Sequence, residues 1–144
     1  MNLSIQFNTD DFISSYKNAV KYQVDTIEKN LNTTAEKILE ESKDRTPIDV
    51  GTLRDNSDFE VKKEDYELVA WIGYFEFYGV YVHQGTGIFA LHGDGRKTPW
   101  WWKGTTQKWE GWHHTHGQKP KQFLWDTLTD YIEKIPLLLA EGLT

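Results

Sequence analysis

The segment Thr46-Pro47-Ile48-Asp49-Val50-Gly51-Thr52-Leu53-Arg54 decides how the chain is partitioned. Proline disfavours helix in the residue before it, so Thr46 closes any helix that precedes, and Asp49-Val50-Gly51 supplies turn chemistry. Upstream of Thr46, behind Thr9 or Asp10 as N-cap, apolar residues recur at three- and four-residue spacing: Phe12, Ile13, Tyr16, Ala19, Val20, Val24, Ile27, Leu31, Ala35, Ile38 and Leu39. That period predicts one amphipathic helix. No proline interrupts it before Pro47, so it extends over about 33 residues and roughly 50 Å at 1.5 Å per residue. Asn30-Leu31-Asn32-Thr33-Thr34 is its weak point, because Asn and Thr are poor helix formers. A helix this long outruns a small sheet. Either it folds back as a helical hairpin at that break, or part of its apolar stripe meets another molecule.

Downstream of Arg54, residues 58–62 and 67–73 carry alternating, β-branched and aromatic side chains around Lys63-Glu64-Asp65, the pattern of an antiparallel hairpin. A third strand is expected at residues 80–84, closed by Gly85-Thr86-Gly87 as a turn or bulge. Residues 88–119 then form a long insertion, with a short strand possible through residues 100–102; loops of this length generally carry function. From Pro120 or Lys121 a second amphipathic helix carries Phe123, Leu124, Leu128, Tyr131, Ile132 and Ile135, and Pro136 disrupts its last turn. The expected class is α+β in a single domain, 1–144: a long N-terminal helix, a small antiparallel sheet of three to four strands, a long Trp-rich insertion loop at about 88–119, and a C-terminal helix.

A chain of 144 residues with 38% hydrophobic and 26% charged residues has the composition of a soluble, folded protein, and no apolar run approaches bilayer length. It contains no cysteine, which removes disulfides, a thiol nucleophile and thiolate metal sites. The polar N-terminus lacks the basic and apolar regions of a signal peptide, so the expected compartment is the cytoplasm. The net charge of −6 is unevenly spread: 15 acids and 9 bases in residues 1–70 give −6, whereas 2 acids and 6 bases in residues 94–121 give +4. An acidic body argues against a dedicated duplex-binding protein, since phosphate affinity comes from Lys and Arg. The basic aromatic segment could touch nucleic acid or an acidic protein neighbour.

That segment holds Trp100, Trp101, Trp102, Trp109 and Trp112, followed by His113, His114 and His116. Tryptophan offers large amphipathic area at low entropic cost, which suits a surface built to meet another. A Trp-Trp-Trp run in a strand presents side chains on both faces, so at least one is expected outside this domain's own core. These eight residues are the candidate interface; the other readings are a loop folded back on its own sheet and carbohydrate stacking. Trp71, mid-strand, and Trp125, on the final helix, are expected in the core. His113, His114 and His116 with His92 or Asp94 could gather around zinc, but adjacent histidines in a strand point to opposite faces and the spacing matches no zinc motif. His83 reads as a hydrogen-bonded structural residue. No Ser-His-Asp set, His-Glu-x-x-His helix or carboxylate dyad can be named, so no catalytic, cofactor or metal residues are assigned.

Three short motifs remain. Pro47, Asp49, Gly51, Leu53 and Arg54 lie in the opening segment, where Pro47 and Gly51 shape a turn, Leu53 is a core anchor and Arg54 can pair with an acid on the long helix. Tyr81, Val82, Gly85, Thr86 and Gly87 form the second; its glycines permit backbone angles closed to other residues, and it lacks the spacing and lysine of a phosphate loop. Gly117, Gln118 and Pro120, with Phe123 and Leu124, open the final helix. In this order they resemble the head-tail joining, or tail-completion, family of long-tailed bacteriophages, over roughly residues 31–132. The chain departs from the family pattern at His83 and Gln84, where an acidic and an aromatic residue are usual, and in its tryptophan count. The resemblance implies a virion structural protein, not an enzyme, made in the host bacterial cytoplasm and located at the head-tail interface. Its implied partners are further copies of itself in a ring expected to be sixfold, the head connector or stopper, and the tail-tube protein. DNA would pass through without specific binding, and no membrane is involved. The alternative is a carbohydrate or cell-surface binding module using the tryptophans.

Overall fold

The computed structural model describes Ile5 and residues 8–49 and 51–143; Val50, inside the first motif, lies outside them. Helix α1 runs unbroken through Asp10–Arg45, with Asp10 and Asp11 in its first turn and Lys43 and Arg45 in its last, both favourable to the helix dipole. Thr46 ends it in extended backbone (φ −70°, ψ 128°), as a residue before proline should. The weak stretch does not break. Asn32 donates to the Glu28 carbonyl (3.0 Å) and Thr33 to that of Lys29 (3.2 Å), satisfying their side chains within the helix.

After the short helix α2 (Thr52–Asp55), strands β1 (Ser57–Glu64) and β2 (Glu67–Tyr74) pair antiparallel, from Ser57 opposite Tyr74 to Glu64 opposite Glu67. Phe59, Val61, Ala70 and Ile72 share one face of this hairpin with Tyr74, whose hydroxyl meets Ser42 Oγ of α1 at 2.6 Å. Helix α1 packs against both strands and against two C-terminal helices, α4 (Phe123–Tyr131) and α5 (Ile135–Ala140). The core they enclose contains Ala35, Ile38, Leu39, Leu53, Phe123 and Tyr131. Its buried polar groups are paired: Ser42 with Leu39 O and Tyr74, Thr46 with Ser42 O, and Thr127 with Phe123 O. Tyr131 donates to Glu41 at 2.5 Å, and that bond, with burial, pushes the phenol pKa up to about 12.

Several expectations are corrected. Residues 80–84 are not a strand but helix α3 (Gly79–Gln84). The amides of Tyr81 and Val82 both bond the Tyr78 carbonyl, and Gly79 lies so close to Leu53 that a Cβ would sit 2.9 Å from its Cδ1. Tertiary packing there overrides the β-propensity of Val80-Tyr81-Val82. Instead of one sheet of three to four strands, the described residues form two separate two-stranded sheets; the second pairs β3 (Trp100–Gly104) with β4 (Gly111–Thr115) inside the expected loop. The final helix stops at Tyr131 and resumes at Ile135, where Pro136 occupies the first turn and costs no hydrogen bond. Trp71 and Trp125 are not core residues, being 61% and 58% exposed. Trp71 has the opposite parity to Ile72 and Tyr74, and Trp125 falls off the Phe123, Thr127, Tyr131 stripe that α4 buries.

Candidate interaction surface

Two of the three motifs meet at the base of the insertion. Thr86 N donates to Gln118 O (2.8 Å), Gln118 N to Thr86 Oγ1 (2.9 Å), and Ile88 N to His116 O (3.1 Å). Lys121 N donates to Val82 O at 3.0 Å, carrying the clasp to the end of α3. Apart from Thr86 Oγ1, the contact is backbone on backbone. A Cβ on Gly87 would lie 1.9 Å from His116 O, and one on Gly117 2.1 Å from Thr86 O, at φ values of +62° and +121°. Glycine is therefore required twice over, by space and by conformation. The 88–116 excursion is thus a loop with fastened ends, within which β3 and β4 pair as a hairpin.

Pairing within that hairpin sorts its aromatic residues. Trp100 opposite Thr115 and Trp102 opposite His113 share one face; Trp101 opposite His114 and Lys103 opposite Trp112 share the other. On the first face Trp102 stacks on His113 (4.7 Å, 26°), and His113 Nε2 lies 3.0 Å from Trp109 O. Gly104 admits the Trp109 carbonyl, which would clash with any side chain there. This face reaches the first motif: Pro47, Ile48, Leu53, Val82, Trp102 and Trp109 line a groove of about 580 Å³. Lys108, at the hairpin tip, forms an ion pair with Asp49. That hydrogen bond holds the Asp49 carboxyl below its ordinary range.

The second face is turned to solvent. Trp101 and Trp112 are 64% and 67% exposed, with Lys103 directly opposite Trp112 and His114 against Trp101 at 4.9 Å. His113 and His114 point to opposite sides, and among the described residues no three His, Cys, Asp or Glu side chains converge as metal ligands. His116 packs edge-on to His114 (5.5 Å) and is exposed.

The remaining motif residues act inside the body. Leu53 is buried, and Arg54 reaches Asp44 of α1 at 3.3 Å. Phe123 is buried edge-on against Tyr74 (4.8 Å) and His83 (5.0 Å), while Leu124 is half-buried. His83 Nε2 accepts from Trp125 N at 3.3 Å, and burial lowers its pKa against the opposing pull of Asp126. Tyr81 is exposed. Sequence reasoning named no residue of the first half of α1 as a contact, yet residues 10–23 are all exposed, including Phe12, Ile13, Tyr16 and Val20 of the apolar stripe. The signal was the excess of helix length over sheet. Ile48, at the mouth of the groove, and Trp71 were missed as well.

The chain thus joins a packed α+β body to exposed aromatic surfaces. Residues 10–85, just over half of the chain, match the family model described as "Bacteriophage HK97-gp10, putative tail-component". The chain belongs to this HK97-gp10-like family. No curated protein and no solved structure matches it. The matched span runs from the start of α1 to the Gly85 clasp, so β3, β4 and the third motif lie beyond it. No helix among the described residues is long and apolar enough to cross a membrane.

Proposed function

We propose that this phage tail component completes the tail by joining it to the head connector, assembling with further copies of itself as a ring, sixfold by family resemblance, between connector and tail tube. The observation that carries the reading is the placement of large aromatic side chains on rigid elements outside the core, on the β3–β4 outer face and along the first half of α1. The mechanism is geometric. The body sets subunit shape, the clasp holds the hairpin at a defined place, and the exposed faces become buried on assembly. A body carrying −6 over residues 1–70 suits a passage for DNA, because a strongly basic wall would retain the phosphates.

The test is loss and restoration. Phage lacking the gene should accumulate unjoined heads and tails by electron microscopy, and the supplied chain should restore joined particles. In light scattering with the connector and tail-tube proteins, the chain should enter a discrete complex. Joined, infectious particles made without the chain, or a monomer indifferent to both proteins, would overturn the reading.

A further inference from the structure

Both hairpins are one-sided, and their free faces differ in charge. On β1–β2 the face turned from α1 carries Asp58, Glu60, Glu64 and Glu67 around the exposed Trp71, which stands opposite Glu60. Its one cation, Lys62, is already held by Glu60 at 2.8 Å. On β3–β4 the face turned from the body carries Trp101, Lys103, Trp112 and His114 and no acid. Each is a two-stranded surface bearing exposed tryptophan; one is acidic and the other basic.

We propose that the outer face of β3–β4 in one copy packs on the outer face of β1–β2 in the next. The occupant is a second copy because this chain itself carries the complement: a tryptophan-bearing basic face on the five-residue strands β3 and β4, and a longer tryptophan-bearing acidic face on the eight-residue strands β1 and β2. Like faces brought together would oppose four carboxylates to four, whereas unlike faces place Lys103 and His114 against them. Two different patches in contact make a heterologous interface. It repeats from copy to copy and leaves neither face exposed once the ring closes. The contact rests on the ring reading above and names the surfaces that would build it.

The absence of native cysteine makes a direct test available. The double variant Lys103→Cys, Glu60→Cys should give, on oxidation, a ladder of covalent oligomers on a non-reducing gel, both in concentrated solution and in purified phage particles. Each single variant should stay monomeric. Trp101→Ala should weaken self-association about tenfold, as loss of a central aromatic anchor does, without a change in the far-ultraviolet spectrum. Particles that contain the chain but yield no ladder overturn this contact and leave the tail-joining role standing. Dimers from either single variant also overturn it, since they require a like-on-like interface. If the chain is missing from purified particles, the joining role fails, and the ladder in concentrated solution alone decides the contact.

Discussion

Gly87 and Gly93 both sit at positive φ, yet they differ in what surrounds them. A side chain at Gly93 would meet nothing within 4 Å, whereas one at Gly87 would strike the His116 carbonyl. Gly93→Ala should therefore cost about 1 kcal/mol, the price of the left-handed conformation alone. Gly87→Ala should cost about 3 kcal/mol or more, because the clasp must open as well; urea midpoints of the two variants measure the difference. Asp49 is the second informative residue. Its folded pKa lies below the unfolded one, so the Lys108 tether is in place above the ordinary carboxylate range and is lost as pH falls through the lowered value. Asp49→Asn at neutral pH should reproduce the acid state. Amide exchange should rise in β3 and β4 and the emission of Trp102 and Trp109 should shift to the red, while the melting temperature hardly moves.

Among the elements, α1 and α5 are linked by one side chain. Asn30 Nδ2 donates to the carbonyls of Leu139 (3.0 Å) and Glu141 (2.8 Å), at the C-terminal end of α5. A residue that weakens α1 by propensity thus takes up carbonyls that the short helix α5 leaves free at its C-terminal end, just before the turn at Gly142 (φ +77°). Asn30→Ala should improve α1 by roughly 0.5 kcal/mol and cost α5 its cap, for a net loss of about 1 kcal/mol. Hydrogen exchange should accelerate in α5 and remain unchanged in α1; uniform acceleration would show that the two helices open together. The same element reading explains why Pro136 is tolerated, since the first turn of a helix has no carbonyl waiting for its missing N–H.

At the scale of the molecule, residues 10–23 of α1 contribute nothing to the core. Phe12→Ser with Tyr16→Ser should change the unfolding free energy by no more than about 0.5 kcal/mol per site, as exposed positions do. The yield of joined particles should fall sharply in complementation. Stability lost together with joining would place this segment inside the folding unit instead.

The extent of α1, its end at Thr46, the β1–β2 hairpin and the start of the last helical region were legible in the sequence. Each depends on neighbours in the chain: apolar period, proline geometry and turn residues. Residues 80–84 were not, because a five-residue run led by Val80, Tyr81 and Val82 fits a strand as well as a helix until Leu53 and the Gly85 clasp are in place. Trp71 was misjudged for a related reason. Both faces of β2 carry apolar residues, and only the bond from Tyr74 to Ser42 shows which one α1 covers. The family motifs could be read as three separate strings, but not as one structure. Thr86 finds Gln118, and Asp49 finds Lys108, across separations of 32 and 59 residues of chain. The sequence by itself determined the elements, since backbone conformation answers to adjacent residues. Only the tertiary structure decided which aromatic faces are left open, since burial depends on residues the chain brings together from a distance.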